Sequence, residues 1–164
     1  MRYFPVFLLV LLAACSDGAA PGGQNAAAPP ASDSFRIAIE ESGLANSGHP
    51  EWLVTPDSLV WTWVRPGGDH ERVAHPLAAA GRDTLRARLA RLDLAAIPAN
   101  AQGDAPVDDM PEFNFSITAN GQRKDFHLYL ARIPALLDVV AAINAALPEK
   151  YGVPYNEEYL QYTP

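Results

Sequence analysis

Cysteine occurs once in the 164 residues, at position 15. A lone cysteine excludes an intrachain disulfide, so any folded domain must be held by an ordinary apolar core. Positive charge is also scarce: 12 Lys and Arg stand against 19 Asp and Glu, for a formal charge of −7. That balance argues against a nucleic-acid partner, which needs a basic surface. No apolar run reaches the roughly 20 residues that a helix needs to span a bilayer. The four histidines, His49, His70, His75 and His127, never fall at the i, i+4 spacing of a helical metal site. No serine stands in a G-x-S-x-G context, and Gly67-Gly68 is followed by Asp69, the wrong charge for a phosphate cradle. Asp104, Asp108, Asp109 and Glu112 lie close together, but without the spacing of a calcium loop, and Pro106 and Pro111 restrict wrapping. No catalytic residue, metal or cofactor is therefore expected, and the chain reads as non-enzymatic.

The most informative segment is the first fifteen residues. Met1-Arg2 is a minimal positive region, Tyr3 to Leu12 is a short apolar run containing Pro5, and Leu12-Ala13-Ala14-Cys15 closes it. This resembles the lipobox of bacterial lipoproteins. The resemblance implies cleavage after residue 14, lipid attached to Cys15, and a chain anchored in the cell envelope by two or more acyl chains. Loss of Arg2 with the signal would leave the mature chain one unit more acidic. Ser16, with aspartate only at Asp17, favours the periplasmic face of the outer membrane over the inner membrane. The alternative is an ordinary signal peptide with a chance cysteine, or a free core thiol.

Residues 15–33 follow as the lipidated cysteine and a tether built only of Ala, Gly, Pro, Ser, Asp, Gln and Asn after it. Such a stretch has no branched or aromatic side chain to bury and reads as a flexible spacer. Residues 34–164 then form a single domain with a Tyr-rich tail. Phe35, Ile37 and Ile39 alternate with polar or small residues as a half-buried strand. Residues 42–57 read as loop, with a short extended piece at Trp52–Thr55. Leu59–Arg65 is the strongest strand segment, with Leu59, Trp61 and Trp63 on one face. After the Pro66–Asp69 turn, Arg72–Leu77 returns as a third strand.

Two helices are expected. Asp83–Asp93 carries Leu85, Leu89 and Leu92 on one stripe with Asp83 as N-cap, and Ile133–Leu147 begins with Pro134 in its first turn. Between them, Asn120-Gly121 predicts a two-residue hairpin turn. That turn pairs Ala119 with Gln122, Phe115 with Phe126 and Phe113 with Leu128 on the core face. Asn114 then meets His127, Ser116 meets Asp125 and Thr118 meets Arg123 on the other. The fold expected is α+β: an antiparallel sheet in β-β-β-α-β-β-α order with two helices packed on one face.

The early strand pair, the leucine-rich helix ending in LDLAAIP (92–98), the hairpin and the second helix resemble the emfourin-like small bacterial domains. The likeness covers most of 35–147 and lies in element order. It implies the fold just described and an inhibitor-like role toward metalloproteases of the thermolysin type. The expected function is that of an envelope lipoprotein that binds or inhibits an envelope protein. The alternatives are a structural or accessory subunit of an outer-membrane assembly, or an enzyme with an unrecognised site. Trp52, Tyr155, Tyr159 and Tyr162 are the candidate partner-binding residues, since aromatics often dominate interface energy. The competing reading is that Trp52 caps the core and the tail closes the sheet.

Overall fold

The computed structural model describes residues 34–42, 47–103 and 110–160. Alternation at Phe35, Ile37 and Ile39 produces β1 (Arg36–Ser42), with Ile37 and Ile39 fully buried. Three more strands follow, β2 (His49–Val54), β3 (Ser58–Val64) and β4 (His70–Pro76), then α1 (Ala79–Leu89). The rest of the described chain comprises β5 (Asn100–Gln102), β6 (Glu112–Ala119), β7 (Gln122–Tyr129), α2 (Pro134–Asn144), a 3-10 turn at Glu149–Tyr151 and α3 (Glu157–Leu160). The seven strands form one sheet in the order β4-β3-β2-β1-β6-β7-β5. Every pairing is antiparallel except β5 with β7, which is parallel.

The architecture is α+β, but richer than the expected order. Four strands precede the first helix, three lie between the helices, the sheet is mixed, and a third short helix follows. β2 was hidden by Pro50, a residue that cannot donate to a ladder. The structure accommodates it because β1–β2 pairing ends at Glu40–Glu51, so Pro50 faces β3 alone, opposite Trp63. β5 has only three residues and carries no periodic signal of its own. It forms because the chain crosses from β4 at one edge to the other edge and meets β7 there.

The hairpin of β6 and β7 has the expected register at every pair, from Phe113–Leu128 to Ala119–Gln122. Asn120 (φ 52°) and Gly121 (φ 74°) both adopt the left-handed conformation that a type I′ turn requires. Phe115 and Phe126 stack across it at 5.2 Å.

α1 starts four residues before the expected Asp83 cap. Its N-cap is Ala78, without a side-chain hydrogen bond, and Asp83 sits inside the helix, where it faces Arg86 at 3.5 Å. The start is set by Leu77, which is buried, and by Leu85 and Leu89 below it. The helix ends at Leu89 rather than Asp93. The Asp93 carboxylate instead accepts hydrogen bonds from the Ala95 and Ala96 amides, making a turn that lets Leu92, Leu94 and Ile97 reach the core without helix. α2 begins at Pro134, one residue after the expected Ile133, and ends three residues early, with Leu136, Val139, Val140 and Ile143 buried. α1, α2 and the C-terminal segment share one core with the sheet face that carries Ile37, Trp52, Leu59, Phe113, Phe115 and Phe126.

The tail is part of that core. Asn144 at the end of α2 donates to Val153 O at 2.9 Å and accepts from Val153 N at 2.8 Å, a two-bond clasp on the returning chain. Tyr155 donates to Ala131 O (2.8 Å) and accepts from Ile133 N (3.2 Å). Tyr159 donates to Pro111 O (2.7 Å) and accepts from Leu130 N (3.0 Å). Leu130 is buried with φ at 52°, a conformation that a branched side chain rarely adopts. The two phenols thus satisfy the irregular backbone that joins β7 to α2, where no ladder can.

Candidate functional site

Strand alternation sends residues of opposite parity to the other side of the sheet, which the helices among the described residues leave uncovered. The register aligns them in rows. One row crosses four strands as Ala38, Leu53, Val60 and Ala74, and continues through Ser116 to Asp125. The next row runs Arg72, Thr62, Glu51, Glu40, Asn114 and His127. Apart from Ala74, they line, together with Arg36, a hollow of about 620 Å³ on this face. Leu53 and Ala38 are half-buried, and Val60 is buried to 7% exposure by its neighbours on the bare face and in the sheet. The centre is therefore apolar and the margins are charged.

The polar margin is organised. His49 Nε2 lies 3.4 Å from Glu51 and 3.7 Å from Glu40. His127 Nε2 lies 3.0 Å from Glu112. Asp125 is held below the usual carboxylate range by a hydrogen bond from Ser116 across the hairpin, with Arg123 Nη2 at 3.1 Å adding to the effect. Among the described residues no group of three or more His, Cys, Asp or Glu side chains is arranged to hold a metal ion. The surface is an apolar area bordered by ionisable groups.

The aromatic residues singled out from the sequence lie elsewhere. Trp52 is 3% exposed on the helix-covered face, and its indole donates to Tyr151 O at 2.7 Å. Tyr155 and Tyr159 are buried at 0% and 7%. These three are interior residues in this structure and present little surface for contact. The cause is physical: each polar handle finds a backbone partner inside, so burial leaves nothing unsatisfied. Burial pushes the Tyr155 hydroxyl up to about 12 and raises that of Tyr159. Tyr162 and Cys15 lie outside the described residues. Among the histidines, His70 is exposed and His75 packs its ring 5.5 Å from that of Tyr151.

Sequence reasoning missed the apolar row because it crosses four strands. The local traces are Trp52-Leu53-Val54 and Leu59-Val60, adjacent apolar residues that must face opposite sides of a strand. No helix among the described residues is long and apolar enough to cross a membrane. No protein-family model matches the chain, and no curated protein sequence matches it.

Proposed function

We propose that the chain is an envelope lipoprotein, held on the membrane through lipid on Cys15, whose folded domain acts by binding another protein of the envelope in the manner of an inhibitor or adaptor. The helix-free face of the sheet is the contact surface. One observation carries this reading: an apolar row, Ala38-Leu53-Val60-Ala74, lies on the bare side of the sheet between charged margins. An apolar centre with a polar rim is the anatomy of a protein interface. The Leu-Ala-Ala-Cys segment and the small-residue tether supply anchorage and reach. Unbranched small residues over 16–33 let the domain sample a volume around its anchor.

The test introduces a charge into the row, at Leu53, or into the row beside it, at Thr62, on the face away from the core. Leu53→Arg and Thr62→Arg should abolish crosslinked partner recovery from intact envelopes while the unfolding midpoint stays close to that of the unaltered chain. Recovery of the same partner in equal yield from both variants would defeat the assignment of this face. A soluble 34–164 fragment that still blocks its target supports the inhibitor form. A strict requirement for the anchor favours the accessory-subunit form.

A further inference from the structure

The two edges of the sheet differ in what they offer. β5 is an edge of three residues. β4, at the other edge, presents seven residues in unbroken register with β3, without a bulge and with proline only at its last position. Natural sheets blunt an exposed edge by brevity, bulges, lysine or proline. β4 carries no lysine, and most of its residues are exposed. This edge is not the surface assigned above and does not depend on that assignment.

Hydrogen-bond parity fixes which groups face outward. Just beyond the two ends of the β3–β4 ladder, Arg65 N donates to Asp69 O at 3.0 Å and Leu77 N donates to Asp57 O at 3.0 Å. Bonded and non-bonded pairs alternate along an antiparallel ladder. Glu71, Val73 and His75 are therefore bonded to β3, whereas His70, Arg72 and Ala74 aim their N–H and C=O groups outward. Pro76 shares the outward parity, so its missing N–H costs the β3 ladder nothing. Among the described residues no second strand pairs with this edge, and no loop hydrogen bond reaches its outward groups.

We propose that β4 pairs antiparallel with β4 of a second copy of this chain, about a twofold axis at Val73, so that the dimer has one continuous sheet. Self-complementarity selects the second copy as occupant: a twofold contact sets residue i against j and j against i. Centred on Val73, Arg72 and Ala74 of each copy exchange both backbone bonds with Ala74 and Arg72 of the other. His70 N–H reaches the carbonyl of Pro76, the one backbone group that a proline still offers. On one face Glu71 stands opposite His75, and Val73 opposite Val73. On the other, Arg72 stands opposite Ala74, and the two arginines are diagonal. Centring the axis on Glu71 or Arg72 would set like charges directly opposite, which destabilises a strand pair. Centring it on Ala74 would carry His70 past the end of the other strand. Charge also favours this edge. The whole chain stands at −7, but β4 carries one glutamate and one arginine, so with uncharged histidines two neutral strands meet. Glu71 keeps Arg65 of its own copy at 3.8 Å, so its carboxylate has a partner when the edges join.

The experiment oxidises the purified full-length chain in detergent, carrying Val73→Cys or Glu71→Cys, and identifies the linked peptides by mass. The unaltered chain, whose one cysteine is Cys15, gives the background. At the axis the two residues 73 form a non-bonded pair with α-carbons about 4.5 Å apart, within reach of a disulfide. The two residues 71 are displaced by about 13 Å along the strands. Val73→Cys should therefore give the 73–73 linked dimer in at least about tenfold higher yield than Glu71→Cys gives a 71–71 dimer. Ala74→Pro is the second probe. It removes an outward N–H and leaves the bonds to β3 in place. Sedimentation equilibrium should read two chains for the unaltered protein and one for Ala74→Pro, with the same far-UV circular dichroism in both. A single chain for the unaltered protein overturns the proposal. So do two chains for both proteins, or equal yields of the 71–71 and 73–73 dimers.

Discussion

Tyr155 shows how one side chain ties distant parts of the chain together. Its ring packs edge-on to Phe113 at 5.7 Å and Phe115 at 5.8 Å, while its hydroxyl bridges Ala131 and Ile133. The same burial makes it a pH probe. The folded hydroxyl is pushed up to about 12, whereas the unfolded chain ionises near the ordinary value of 10. The unfolded state therefore releases this proton first as pH rises. The contribution is fully present below about pH 10 and is lost as pH climbs through 12, on the order of 2–3 kcal/mol across the interval. Tyr159 shifts in the same direction and adds to the loss. Urea denaturation between pH 8 and pH 12 should show this decline, and Tyr155→Phe should flatten it. The same variant should cost about 1–3 kcal/mol at pH 8, because two backbone groups lose their partner. Equal pH dependence in both proteins would mean the hydroxyl is not buried. The clasp of Asn144 on Val153 makes a parallel case: Asn144→Ala should cost about 1–3 kcal/mol and speed amide exchange at Val153.

At the scale of elements, the β6–β7 hairpin is the best-specified part of the fold. Phe115 is 2% exposed and stacked on Phe126, whereas Ser116, the next residue, lies on the bare face. Phe115→Ala should cost about 3–5 kcal/mol, and Ser116→Ala should cost little. Similar denaturation midpoints for the two variants would show that the facing is wrong. This hairpin was readable because the Asn-Gly turn and seven successive pairs agree. The other elements were readable in proportion to their local signal. α2 began where Pro134 placed it. β2 was obscured by Pro50, and β5 by a length of three residues. α1 was misplaced because Asp83 offered a cap that the tertiary position of Leu77 overrode. The site was less readable than the fold. Aromatic identity drew attention to Trp52, Tyr155 and Tyr159, yet whether an aromatic is buried depends on backbone partners far along the chain. For Trp52 that partner is Tyr151, and for Tyr159 it is Pro111. The apolar row of the bare face exists only once the register aligns Ala38, Leu53 and Val60. Trp52→Ala should accordingly act through stability, at about 3–5 kcal/mol, and leave partner capture intact at permissive temperature.

At the scale of the whole molecule, the proposal joins an anchor, a spacer and a sheet with one bare face. The anchor is tested by Cys15→Ser, which should leave an unprocessed or released protein. A variant that still partitions into detergent with attached lipid would contradict it. The central claim concerns the bare face, and the most direct measurement is site-specific photocrosslinking in intact envelopes. A photoreactive residue is placed at Leu53 or Thr62 in one set, and at Arg82 or Arg91, outside this face, in another. The account predicts a discrete crosslinked adduct of constant mass from positions 53 and 62 and none from 82 and 91. Adducts confined to 82 and 91, or no adduct from 53 and 62 while the domain remains folded, would contradict it.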